Sequence, residues 1–142
     1  MKIGLLGGTF DPVHNTHIYM AKETLKALKL DKVYLMPSFC PPHKNSAKIT
    51  SEYHRINMVK LAVEEFDNIE YSDFEIKNKF SYTADTLTAW KELYPEDELY
   101  FIVGGDSVSS FENWYHPEII LEKAALVVIR RNDLTPVSYT HL

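Results

Sequence analysis

The chain reads as an α/β protein, a mostly parallel five-stranded sheet with helices on both faces. Three observations predict it. Short aliphatic runs alternate with segments of helical periodicity. Two of those runs end in paired glycines, Gly7-Gly8 and Gly104-Gly105. The 142 residues suffice for one core and are too few for two. Strands that alternate with helices belong to a largely parallel sheet covered on both sides.

Each element follows in order. Lys2 to Leu6 is a short buried strand running into Gly7-Gly8, and from about Thr16 to Leu28 a helical pattern puts Ile18, Ala21, Leu25 and Leu28 on one face. Val33 to Met36 is a second strand, stopped by Pro37; residues 38 to 51, with Pro41 and Pro42, form a loop. Ser51 is placed to cap the next helix, whose apolar side is Ile56, Val59, Leu61, Val63 and Phe66. Ile69 to Phe74 is a third, weaker strand, and Thr83 to Leu93 is a helix. Leu99 to Val103 is a strong strand ending in Gly104-Gly105-Asp106. Pro117 starts a short helix through Leu121, and Ala125 to Ile129 is the last strand. This is a Rossmann-like, doubly wound order, and such sheets bind ligands in the crevice at the carboxyl ends of their strands. The loops after the first, second and fourth strands therefore open on one rim.

Composition narrows the ligands. A formal charge of −5 excludes broad phosphate neutralisation, so no nucleic-acid partner is expected. A small anion needs only a local cluster of donors, and His14, His17, His43, Lys44 and Arg55 can supply one if the fold gathers them. Arg55 reads equally as an ordinary surface residue. No apolar run approaches the roughly 20 residues that cross a bilayer, so no membrane partner is expected. Met1 to Leu6 is too short for the apolar region of a signal peptide. The lone Cys40 cannot form an internal disulfide, which suits a reducing, cytoplasmic setting.

The stretch Gly7-Gly8-Thr9-Phe10-Asp11-Pro12-Val13-His14-Asn15-Thr16-His17 is the most informative. Paired glycines let backbone amides approach an anion, and the helix just beyond adds its positive dipole end. His14 and His17, three apart, can share one face of that first turn and bond phosphate oxygens. Taken singly, the glycines are a tight turn and the histidines surface residues. A metal pair is a further alternative, but no Cys or acidic cluster completes it.

The combined string resembles the nucleotidyltransferase superfamily, whose signature is a GGTFDP-type loop followed by two histidines with one residue and a glycine between them. Here Thr16 stands in place of that glycine. Within the superfamily the chain is most similar to bacterial nicotinate-nucleotide adenylyltransferase, over essentially everything up to about Arg131. Pro37 through Pro41-Pro42-His43-Lys44 looks like the family's substrate loop, and Ser81-Tyr82-Thr83-Ala84-Asp85-Thr86-Leu87 like its pyridine-recognition segment. Gly104-Gly105-Asp106-Ser107 and Phe111-Glu112-Asn113-Trp114-Tyr115 match two further landmarks.

The resemblance implies transfer of the adenylyl group of ATP to nicotinate mononucleotide, with magnesium accompanying ATP. It implies catalytic roles for His14, His17 and Lys44, and ATP contacts from Gly8, Thr9, Phe10, Gly104 and Asp106, the last holding the ribose. Lys44, Tyr82, Thr83, Thr86 and Trp114 would bind the mononucleotide. Trp114 offers a face for the pyridine ring, worth about 1–3 kcal/mol by analogy with base stacking. Tyr82 and Thr86, with the amides around them, would receive the nicotinate carboxylate. The mid-helix Trp90 reads as core.

The family also continues beyond the last strand with a Ser-Ser-Thr-x-x-Arg-type segment that this chain lacks. Residues 1–134 are therefore expected to be an incomplete nucleotidyltransferase domain, and 135–142 an aberrant or disordered tail. Surface left uncovered in that way favours self-association. Two alternatives stand beside the enzyme: a non-catalytic nucleotide-binding module, suggested by Thr16 and the missing segment, and an adenylyltransferase that prefers the amide mononucleotide. A pantetheine-phosphate substrate fits less well, having no ring to stack.

Overall fold

Alternation along the strands divides the core into two layers. In the computed structural model, which describes residues 1–8, 10, 13–39, 52–80, 82–105, 110–129 and 136–139, Ile3 and Leu5 face one side of the sheet and Leu6 faces the other. Leu99, Phe101 and Val103 join the first layer and Ile102 the second, as the period of two requires. Ala84, Leu87 and Trp90 of one helix and Ile120 of another complete the first layer; Met20, Ala21, Val59 and Val63, from two more helices, complete the second.

The elements run β1 (Lys2–Gly8), α1 (Asn15–Ala27), β2 (Lys32–Pro37), α2 (Glu52–Val63), β3 (Ile69–Tyr71), α3 (Phe74–Asn78), α4 (Thr83–Leu93), β4 (Glu98–Gly104), a 3-10 turn (Phe111–Asn113), α5 (Pro117–Lys123), β5 (Ala124–Ile129) and β6 (Pro136–Tyr139). The sheet order is β3-β2-β1-β4-β5-β6. Strands β1 to β5 are parallel, the Rossmann-like arrangement expected. The order reverses between β1 and β4, so the ligand crevice of such a sheet lies at their carboxyl ends.

Three expectations are corrected. Among the described residues the sheet has six strands, because β6 adds an antiparallel edge to the five parallel ones, pairing Val128 with Val137 and Ile129 with Pro136. Four residues of the segment expected to be an aberrant or disordered tail therefore form a strand. Its proline sits at the first position, where a missing N–H is tolerated. The third strand stops at Tyr71, and Phe74 begins α3 instead of ending that strand. Leu61 is exposed, not part of the buried side of α2. The loop expected over 38–51 and the cap at Ser51 lie, from residue 40 on, outside the described residues.

Close packing also explains one glycine. A Cβ on Gly4 would come within 2.9 Å of Leu30 Cδ1 and 3.0 Å of Val33 Cγ2, so a side chain there would force those neighbours to shift.

Candidate active site

At the carboxyl end of β1 the two glycines face opposite layers. A Cβ on Gly7 would sit 3.8 Å from the Phe101 ring, and one on Gly8 3.5 Å from the Phe10 ring. Phe10 itself is 2 % exposed and packs into the second core layer. Its backbone is left-handed, with φ 50°. That conformation costs an L-residue about 1–2 kcal/mol, and burial of the ring holds it there. Neither glycine has a positive φ, so their value here is the space they leave.

His14 is the N-cap of α1, with extended backbone at φ −118° and ψ 162°. His17, three residues on, turns its ring back so that Nδ1 accepts the His14 backbone N–H at 2.9 Å. Because Nδ1 is an acceptor, the ring proton of neutral His17 sits on Nε2. The two imidazoles stack, with centroids 5.7 Å apart and planes 22° from parallel. The Phe10 ring meets His17 edge-on at 4.8 Å. Burial holds the His17 pKa below its ordinary value, and the neighbouring His14 lowers it further. His17 is therefore a neutral donor at neutral pH, presented at the positive end of a 13-residue helix with no acidic residue in its first turn. Thr16 lies exposed in the same turn.

The end of β2 is tied to this rim, since Ser38 N–H donates to the Gly8 carbonyl at 2.8 Å. Arg55 takes part from behind. Read equally as a member of the anion-binding cluster and as a surface residue, it is 2 % exposed and donates from Nη1 to the Ser38 carbonyl at 3.0 Å. It holds the chain where it leaves β2, the segment that continues toward Lys44.

On β4, the register Leu6–Ile102 carried forward sets Gly104 level with Gly8 on the adjacent strand. Among the described residues, a Cβ on Gly104 would meet nothing within 4 Å. Beyond it, Trp114 is half-buried. Its ring lies 5.2 Å from Phe111 and 6.1 Å from Phe101, and its indole N–H points at Ser110 Oγ at 3.4 Å. Phe101 thus links Gly7 on one strand to Trp114 on the other. Next along the chain, Tyr115 stacks on Tyr82, the N-cap of α4, at 4.4 Å between centroids. Trp114 and the start of α4 consequently share the rim with the first loop.

The structure assembles His14, His17, Gly8, Phe10, Gly104, Tyr82, Thr83 and Trp114 along one edge. Thr9, Lys44 and Asp106 lie outside the described residues. One expected substrate contact is corrected: Thr86 is fully buried, and its hydroxyl is directed at Glu75 Oε2, 2.7 Å away. Its amide is bonded to the Tyr82 carbonyl at 3.2 Å. Neither group can reach a ligand. Ala84 is buried in the core as well, so the amide of the half-buried Thr83, in the first turn of α4 and outside its ladder, is the donor left for an anion there. Trp90 is core as expected, its indole N–H donating to Asp97 Oδ2 at 3.1 Å.

A cavity of about 500 Å³ lies away from this rim, between the amino ends of β1 and β2 and the carboxyl end of α4. Lys32 on its wall is paired with Glu70, and the Met1 amino group is 3.6 Å from Asp97.

The matched family model is cytidylyltransferase-like and covers residues 5–141, so the chain belongs to the cytidylyltransferase-like family. Among curated relatives, the probable nicotinate-nucleotide adenylyltransferase of Clostridium tetani is 44% identical over 131 residues, 92% of this chain and 66% of that protein. The nicotinate-nucleotide adenylyltransferase of Bacillus subtilis is 38% identical over 131 residues, 92% of this chain and 69% of that protein. Within the family, the chain is thus one of the nicotinate-nucleotide adenylyltransferase group. It spans about two thirds of the length of these relatives. The solved structure of Plasmodium falciparum nicotinic acid mononucleotide adenylyltransferase complexed with NaAD superposes with a TM-score of 0.81 at 24% identity, over 94% of this chain and 66% of that one, and so shares the fold. No described helix is long and apolar enough to cross a membrane.

Proposed function

We propose that this chain carries the catalytic core of an enzyme that joins ATP to nicotinate mononucleotide, releasing pyrophosphate. The observation that carries the proposal is the His14–His17 pair, locked by the 2.9 Å bond at the positive end of α1, beside the point where the strand order reverses. A phosphate oxygen of the mononucleotide attacks the α-phosphorus of ATP. The new O–P bond replaces the bond to the leaving pyrophosphate, and the product is nicotinate adenine dinucleotide. The attacking oxygen is already ionised at neutral pH, so the site needs no strong base. Its task is to hold two anions together and to stabilise charge on the departing group.

His17 Nε2–H, the ring of His14 and the amides around Gly8, Thr9 and Phe10 are suited to that work. Lys44 and Asp106 take the roles that the family resemblance implies, on phosphate and on the ATP ribose. Trp114 offers a face to the pyridine ring, and the Thr83 amide of α4 receives its carboxylate. Among the described residues no three His, Cys, Asp or Glu side chains form a metal set. A magnesium ion would enter with ATP and offset the charge of its phosphates, without a protein ligand set among the described residues. Both substrates are cytoplasmic metabolites by this reading.

The test is pyrophosphate release from ATP, magnesium and each pyridine mononucleotide in turn. Nicotinate mononucleotide should react faster than the amide. A preference for the amide would remove the carboxylate role of α4, and no release from a folded sample would remove the reaction. One observation favours a second reading, a module that binds nucleotide without turnover: the exposed Thr16 side chain stands in the turn where ATP phosphates would approach. Calorimetric binding of ATP without pyrophosphate release would select it.

A further inference from the structure

Glu75, on α3, is almost wholly buried, and the proposed reaction makes no direct use of it. A buried carboxyl is costly unless something bonds it. Its partner is the Thr86 hydroxyl, 2.7 Å from Oε2, and Thr86 is itself fully buried in α4. The same hydroxyl lies 3.2 Å from the Tyr82 carbonyl, one turn back. A hydroxyl has one proton to give, so the bond to Glu75 draws Thr86 away from a purely local helical contact and into one that joins two helices.

The backbone of Glu75 holds the other end of the same segment. Its carbonyl accepts the Phe80 N–H at 3.0 Å, and Lys79, with φ 58°, reverses the chain just before it. A single residue therefore pins both flanks of the run that contains Tyr82 and Thr83. That run begins α4, and Tyr82 stacks on Tyr115, next to Trp114.

We propose that Glu75 is a positioning residue: through Thr86 it fixes the entry of α4, so that the Thr83 amide stands ready for the anionic group of the pyridine mononucleotide. This rests on the proposed function for the identity of the ligand. Burial pushes the Glu75 carboxyl up to about 7, with the Thr86 bond opposing, as expected of a group placed for geometry at an electrostatic cost.

The experiment uses the full chain with Glu75→Ala, Glu75→Gln and Thr86→Val. Two quantities are read: amide exchange at Thr83 and Ala84 without ligand, and the Kd for nicotinate mononucleotide beside that for ATP. Loss of one such bond predicts a mononucleotide Kd raised on the order of tenfold in Glu75→Ala and Thr86→Val. ATP affinity should hold, first-turn exchange should quicken, and Glu75→Gln, which still accepts from Thr86, should recover most of both. Equal weakening of the two ligands, or unchanged exchange, overturns the proposal, as does a Gln variant no better than Ala. If Glu75→Ala does not fold, Thr86→Val decides alone by the same criteria. Binding without turnover in the unaltered chain counts against the reaction only, because the binding arm still judges Glu75; no mononucleotide binding at all overturns both.

Discussion

Replacing Glu75 by Gln should change how stability depends on pH by an amount set by its burial. The unfolded carboxyl titrates near its ordinary 4.5, whereas the folded one is pushed up to about 7, first by burial and against the pull of Thr86. Between those values the folded protein binds the extra proton. The contribution of Glu75 is therefore fully present below pH 4.5 and is lost as pH rises through 7. At about 1.4 kcal/mol per pH unit, the loss amounts to about 3 kcal/mol. Gln cannot titrate, and it keeps an acceptor for Thr86. Urea unfolding of both proteins at intervals from pH 4.5 to 8 measures the difference in ΔG, from which the titration of His17, common to both, drops out. The Gln variant should gain about 3 kcal/mol on the unaltered chain across that interval. A pH-independent difference would mean that Glu75 is solvated or paired with a cation, and the reasoning from burial would fail.

Other outcomes follow from the same geometry. Gly104→Ala should fold with stability within about 0.5 kcal/mol of the original, since its Cβ meets nothing within 4 Å among the described residues, yet lose ATP binding by calorimetry; unchanged affinity would remove Gly104 from the site. Thr16→Gly should tighten ATP binding while costing up to about 1 kcal/mol of helix stability, read by titration and by thermal melting. Trp114→Ala should weaken nicotinate mononucleotide by about 1–3 kcal/mol and also lower stability, because the ring packs on Phe101 and Phe111. Trp90→Ala should instead destabilise the protein by about 3–5 kcal/mol in urea, being core.

Much of the fold was legible because burial follows simple periods. The Thr83–Leu93 helix and the strand centred on Phe101 and Ile102 were visible from periodicity and flanking glycines. The misreadings have local causes. Leu61 is two residues from Val59 on α2, about 200° around the helix, and so faces solvent. Arg55 is four residues before Val59 and eight before Val63, and the same periodicity buries all three, cation included. Thr86 is buried beside Trp90 by the same spacing, which removes it from the ligand.

The helix α3 had a turn signal in Ser72-Asp73, and Phe74 N–H donates to Ser72 Oγ at 3.2 Å. An aliphatic reading of Ile69 to Phe74 hid it. At the site, the pairing of His14 with His17 was visible from their spacing, but the Nδ1 acceptor role of His17 was not, because it depends on χ angles. The union of Glu75 with Thr86, and of Tyr82 with Tyr115, joins residues from separate elements that no local pattern connects.

Backbone amide shifts, followed while ATP with magnesium and then nicotinate mononucleotide are added, test the account most directly. Binding at the reversal point predicts ATP-induced shifts at Gly8, Phe10, His14, His17 and Gly104, and mononucleotide-induced shifts at Tyr82, Thr83, Ala84 and Trp114. Shifts gathered instead around Lys32, Lys77 and Trp90, at the cavity away from the rim, would contradict it.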